Sequence, residues 1–218
     1  MLKGWFKLKK LTNLDYYLVT YSSISRNGIL SDVKQALDAG CKVIQYREKN
    51  KTTREMINET KKIKQLCGGR AFFLINDRVD VAIAVDADGV HLGQEDISVD
   101  VARKLLGSNK IIGLTVHNEK EAVEAESRGV DYIGLAPIFK TDTKEDSGIP
   151  CGLDIIKKVR NRVGLPIIAV GGINKENIVD VIKSGADGVV AVSAVLDSND
   201  VYANVLDFIR LIKEGKSK

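Results

Sequence analysis

Short apolar runs and amphipathic stretches alternate eight times along this chain, and few folds can use such a pattern. The strand-like runs are 16–20, 42–46, 71–75, 89–92, 111–115, 132–135, 167–170 and 188–192. Their apolar and β-branched character is what a parallel sheet buried on both faces requires. Between them, apolar residues recur every three to four positions over 29–37, 56–66, 79–85, 99–106, 122–127, 153–159, 178–182 and 201–212, which predicts helices covering the outside of that sheet. An open doubly wound sheet usually has fewer strands and a glycine-rich dinucleotide turn after the first, and no such turn follows 16–20. The expectation is therefore α/β, a (β/α)8 TIM barrel. It is read as one domain over residues 1–218, with a short basic arm at about 1–14 and a loose end at about 214–218.

Composition narrows the function classes. Hydrophobic residues make up 44% and charged residues 28%, and no apolar run of about 18 residues marks a membrane span. Lysines interrupt the first ten residues before a secretory apolar core can develop. A net charge of +4, without an arginine block or interleaved aromatics, argues against nucleic acid but leaves small anions as ligands. Cys41, Cys67 and Cys151 are odd in number, widely spaced and without a C-x-x-C pattern, which suggests neither a disulfide framework nor a zinc site and fits a reducing cytoplasm best.

In such a barrel the active site forms at the carboxyl ends of the strands. Polar or glycine-rich clusters follow strands 2 to 8. Asp77 and Asp96, after neighbouring strands 3 and 4, could hold one hard cation such as Mg²⁺, with Glu95 the nearest competitor for the second position. Each aspartate could instead cap the helix that follows it. Arg47, Lys49 and Lys144 could neutralise a diphosphate beside that metal, although lysine and arginine are more often solvated surface residues. Gly171-Gly172 and the Ser193 turn occupy the loops after strands 7 and 8, where barrels of this kind bind phosphate, or the glycines merely permit a tight turn. His91 lies inside strand 4 and reads as a hydrogen-bonded barrel residue; His117, after strand 5, reads as a site wall or donor.

Five ordered segments, Gln45-Tyr46-Arg47-Glu48-Lys49, Ile75-Asn76-Asp77-Arg78, 88–96, 137–144 and Val170-Gly171-Gly172-Ile173, resemble the thiamine phosphate synthase family, and the likeness runs from Tyr17 to about Phe208. That resemblance implies a transferase joining a pyrimidine methyl diphosphate to a thiazole phosphate with loss of pyrophosphate. It further implies that Gln45, Tyr46, Arg47, Glu48, Lys49, Asn76, Thr115 and Lys144 hold the pyrimidine diphosphate. Arg47, Lys49 and Lys144 would stabilise the leaving group, and Asp77 and Asp96 would ligate Mg²⁺. Thr141, Asp142, Thr143, Gly172, Val192 and Ser193 would meet the thiazole phosphate. Family analogy also suggests a homo-oligomer. Thr115 stands where the family usually has serine, Ala136 where glycine is common, and Lys140 where proline is common. A thiazole tautomerase on the same barrel would use His117 as acid or base and leave the two aspartates without a clear purpose. A non-catalytic barrel that binds a phosphorylated metabolite is a third reading.

Overall fold

A computed structural model describes residues 14–141, 143 and 148–217. Eight parallel strands follow one another round a single sheet in chain order. They are β1 (Tyr17–Val19), β2 (Val43–Tyr46), β3 (Phe72–Asn76), β4 (Gly89–Leu92), β5 (Ile111–Val116), β6 (Tyr132–Leu135), β7 (Ile167–Val170) and β8 (Gly188–Val190). A parallel bridge between Tyr16 and Val189 joins the last strand to the first, so the expected barrel closes.

The helices are α1 (Ile29–Asp38), α2 (Thr53–Cys67), α3 (Val79–Ala84), α4 (Val99–Leu106), α5 (Glu119–Ser127), α6 (Asp154–Arg160), α7 (Ile178–Lys183), α8 (Ser193–Leu196) and α9 (Val201–Lys216). Two begin a turn earlier than their apolar spacing predicts, because their first turns are polar and are held by caps. Thr52 and Glu55 form a reciprocal capping box ahead of α2, and the Asn118 side chain accepts from Glu121 N–H ahead of α5. The single turn α8 has no sequence counterpart: Val192, expected at the end of β8, instead lies at its N-cap. The end expected to be loose from Glu214 is helical through Lys216. Gly215 packs so closely that a Cβ there would lie 2.8 Å from Ile182 Cβ, and Lys216 Nζ meets Asp15 Oδ1 at 2.7 Å.

Alternate strand residues divide the core in two. Leu18, Ile44, Phe73, Ile112 and Ile133 face the helix layer, whereas Tyr17, Val43, Leu74, Ile111, Tyr132, Ile168 and Val190 pack together inside the barrel. Burial holds the phenols of Tyr16, Tyr17 and Tyr132 well above their ordinary titration range. An unfolded chain releases those protons near about pH 10, while the native state keeps them. Stability should therefore fall as pH rises above about 10, by about 1.4 kcal/mol per pH unit for each phenol. Urea unfolding at about pH 9 and about pH 11 checks this, and unchanged stability would count against it.

The amino ends of the strands carry a repeated support. Asp88, Asp131 and Asp187, just ahead of β4, β6 and β8, accept from the Phe73, Ile112 and Ile167 backbone N–H groups at 2.8, 2.8 and 2.7 Å. Arg103 and Arg160 brace the latter two at 2.9 Å. Asp131→Ala leaves a largely buried N–H unsatisfied and should cost about 1–3 kcal/mol. The melting temperature should then fall by roughly 2–4 °C per kcal/mol with kcat unchanged, because this end of the barrel lies opposite the site.

Candidate active site

Each candidate side chain owes its position to the parity of its strand or to the bonding of its loop. On β2, Gln45 points into the barrel and its neighbour Tyr46 points out. Tyr46 is fully buried against α2, with its hydroxyl donating to Glu59 Oε2 at 2.7 Å. The Tyr46 side chain is thus separated from the mouth where substrate contact was expected. Glu48 also turns inward on its own loop, its Oε1 accepting from Lys49 and Asn50 N–H at 2.8 and 2.9 Å. Burial raises the Glu48 carboxyl, but the Asn50 N–H, the Ser22 hydroxyl and the Lys49 N–H outweigh it, so the group sits below its usual range. These bonds fix the loop that carries Arg47 and Lys49.

Arg47 is braced by a residue the sequence reading passed over. Thr20 Oγ1 accepts from Arg47 N–H at 2.9 Å and donates to Arg47 O at 3.3 Å, and the guanidinium lies 5.0 Å from the Tyr21 ring centroid. Arg47 Nε is buried and has no hydrogen-bond partner among the described residues, which leaves a cationic donor for an anion.

Asp77 and Asp96 come together, and neither caps a helix. Asp77 has φ 60°, and its carboxylate pairs with Lys49 Nζ. Arg78 precedes α3 without a side-chain cap bond, and the residue that caps α4 is Ser98. Asp96 Oδ2 accepts from Gly93 N–H at 2.6 Å. Burial pushes both aspartates up; the shared hydrogen bond with Asp96 and the ammonium of Lys49 bring Asp77 below its ordinary value. Asp96 stays raised, by burial and by the neighbouring Asp77. Glu95 is exposed beside them. Among the described residues no cluster of three or more histidine, cysteine or acidic side chains could hold a metal, so any ion here would rest on two carboxylates.

The mouth has two adjoining compartments. The first is lined by Thr20, Tyr21, Gln45, Arg47, Asn76, His91 and Thr115 above a floor that includes Tyr17, Tyr132, Ile168 and Val190. The second is lined by His117, Thr141, Thr143, Gly171, Gly172, Val192 and Ser193. Thr115, Ala136, Thr143, Val170, Val190 and Val192 border both. Asp142 and Lys144 lie outside the described residues. His117 Nδ1 is engaged by Glu121 Oε2 at 2.9 Å. Gly172, at φ 62°, has no room for a side chain: a Cβ would lie 2.8 Å from Phe139 Cβ and would also clash with Lys140 O. Its carbonyl accepts from Asn177 Nδ2 at 3.0 Å, so the turn is fixed on both sides.

A row of polar side chains crosses the first compartment. Gln45 Nε2 lies 2.6 Å from Tyr17 Oη, Tyr17 Oη 2.8 Å from Tyr132 Oη, Tyr132 Oη 2.8 Å from His91 Nδ1, and His91 Nε2 2.9 Å from Thr115 Oγ1. The barrel-residue reading of His91 agrees with this; the two tyrosines were missed.

Fold and site together define a barrel enzyme with an arginine-bearing compartment beside a glycine-turn compartment at the carboxyl ends of its strands. A family model described as thiamine monophosphate synthase matches residues 16–195, and the chain belongs to that family of transferases. It is 57% identical over 206 residues to a thiamine-phosphate synthase of Methanosarcina mazei, covering 94% of this chain and 86% of that one. A thiamine-phosphate synthase of Methanosarcina barkeri is 55% identical, with 96% of each chain covered. A thiamine phosphate pyrophosphorylase structure from Pyrococcus furiosus is 39% identical and superposes with a TM-score of 0.85 over 93% of this chain and 96% of that one. These relatives do not favour the tautomerase or the non-catalytic alternative. No helix of the described residues is long and apolar enough to cross a membrane.

Proposed function

We propose that the protein joins 4-amino-2-methyl-5-(diphosphooxymethyl)pyrimidine to 4-methyl-5-(2-phosphooxyethyl)thiazole, giving thiamine phosphate and pyrophosphate. The observation that carries this reading is the pair of compartments with a shared wall, which can hold two small phosphorylated substrates side by side. Arg47, with its buried free donor, borders the diphosphate compartment together with Asn76 and Gln45, and Lys49 is held next to it by its pair with Asp77. Thr141, Thr143, Gly172, Val192 and Ser193 border the thiazole phosphate compartment, where backbone N–H groups and hydroxyls suit a phosphate.

The chemistry asks for little from protein nucleophiles. The methylene C–O bond breaks and its electron pair leaves with pyrophosphate, while the electron-rich aminopyrimidine stabilises the methylene cation. The thiazole nitrogen lone pair then forms the C–N bond. Arg47 and Lys49 stabilise charge that grows on the leaving group. The apolar floor of Ile168, Val170 and Val190 excludes water that would capture the cation. Shared walls hold donor and acceptor in line.

Asp77 and Asp96 fit a hard cation: both donors are carboxylate oxygens, brought together by adjacent strand ends. Mg²⁺ bound there would supply further neutralisation of the diphosphate. An assay supplying both substrates and following thiamine phosphate with pyrophosphate release tests the assignment. Pyrophosphate release without coupled thiamine phosphate would overturn it.

A further inference from the structure

The row from Gln45 to Thr115 has a direction. Each phenol or hydroxyl carries one hydrogen, and a neutral imidazole carries one N–H. The Gln45 amide nitrogen donates to Tyr17 Oη; either phenol could donate in the Tyr17–Tyr132 contact, and giving the Tyr17 hydrogen to Tyr132 Oη is the arrangement that leaves no phenol hydrogen unused. In that arrangement, with the imidazole neutral, Tyr132 would give its own hydrogen to His91 Nδ1, whose role depends on the tautomer. With Nδ1 accepting, the imidazole proton would sit on Nε2 and be donated to Thr115 Oγ1. The hydrogen left over at the end belongs to the Thr115 hydroxyl, which lines both compartments.

We propose that this row is a polarised hydrogen-bond chain that holds His91 as its Nε2–H tautomer and thereby presents the Thr115 hydroxyl to the mouth as a donor. Tyr17, Tyr132 and His91 are positioning residues. At the far end the same polarity leaves the Gln45 amide oxygen as an acceptor. The ligand that this arrangement favours offers an acceptor atom to Thr115, and by the function proposed above that ligand is the pyrimidine substrate. Reversing the Gln45 amide would reverse every bond and turn Thr115 into an acceptor, so the polarity selects ligand chemistry.

The barrel is built around this row. A Cβ on Gly113 would clash with the hydroxyl-bearing edge of the Tyr132 ring, and one on Gly134 would lie 3.0 Å from His91 Cε1, so glycines on β5 and β6 make room for the two rings. The His91 and Tyr132 ring centroids are 5.4 Å apart, and Tyr17 and Tyr132 are both 1% exposed. Burial raises both phenols, which keeps their hydrogens in place. An apolar core needs no such row: phenylalanines would fill the same lumen without a chain of donors that must all agree.

The chain has two histidines, so ¹⁵N-histidine NMR of the ligand-free protein reads the tautomer directly, with His117→Asn for assignment. His91 should show a protonated Nε2 and an unprotonated Nδ1. A protonated Nδ1 overturns the proposal, whatever reaction the protein catalyses. Tyr132→Phe should replace the single tautomer by a mixture and lower kcat/KM for the pyrimidine diphosphate by about tenfold, with KM for the thiazole phosphate changed less than about twofold. In a Thr115→Val background the same change should cost less than about twofold, because its effect passes through that hydroxyl. Losses that multiply fully would make the row structural only and overturn the proposal. Should Tyr132→Phe not fold, Tyr17→Phe serves the same comparison, since it removes the donor that orients Tyr132. A normal tautomer in a protein that forms no thiamine phosphate would overturn the reaction assigned above and leave the polarised chain standing.

Discussion

Asp77→Ala and Asp96→Ala should each lower kcat by about a thousandfold or more, whereas Glu95→Ala should stay within about threefold. The two aspartates influence one another beside Lys49, while Glu95 is exposed on the same loop as Asp96. Alanine at 77 also releases Lys49, so its effect combines two losses. Asp77→Asn separates them, since the amide keeps hydrogen-bonding capacity without the charge. If the charge is what matters, the asparagine variant should be nearly as impaired as alanine, and excess Mg²⁺ should not restore it. Chelation of divalent cations should abolish turnover of the unaltered protein, with activity returning on addition of Mg²⁺. Steady-state pyrophosphate release checks all of these, and equal losses for the three acidic residues would place the ligands elsewhere.

The second large effect is expected at Arg47. Arg47→Ala should lower kcat/KM by roughly 10²- to 10³-fold, mostly through kcat, because a cation beside the leaving group gains most as that group acquires charge. Lysine should recover little of it: the ammonium cannot reproduce the fork whose Nε is buried and free, nor the contact over Tyr21. Thr20→Val removes the hydroxyl that bonds both the N–H and the carbonyl of Arg47. It should cost about five- to tenfold with the charge still present. Single-turnover kinetics would separate the bond-breaking step from binding. A loss confined to KM for Arg47→Ala would mean that the guanidinium holds the ground state only.

The contrast between Asp77 and Tyr46 shows what could be read from the linear chain. Neighbouring strands in a parallel barrel are neighbours in sequence order, so residues just past β3 and β4 must meet, and Asp77 and Asp96 do. Their release from helix capping was not legible, because it depends on the φ of 60° at Asp77 and on Ser98 taking the cap of α4. For Tyr46 and Gln45 the obstacle is parity. A strand buried on both faces is apolar throughout, so nothing in Val43-Ile44-Gln45-Tyr46 states which alternate residues enter the lumen. Structure settles it, with Gln45 in and Tyr46 out against Glu59.

The sequence by itself determined the barrel and the residue types gathered at the carboxyl ends of its strands, because strand and helix periodicity and connection order are local properties of the chain. Glycine turns and charged strand ends followed from the same local rules. Tertiary structure alone decided which lumen-facing rings touch. Tyr17 and Tyr132 are 115 positions apart, and their hydroxyls meet at 2.8 Å only because β1 and β6 face one another across a closed barrel. It also decided that Thr20 braces Arg47 and that Glu48 serves its own loop. Such contacts depend on side-chain direction after closure, which periodicity does not encode.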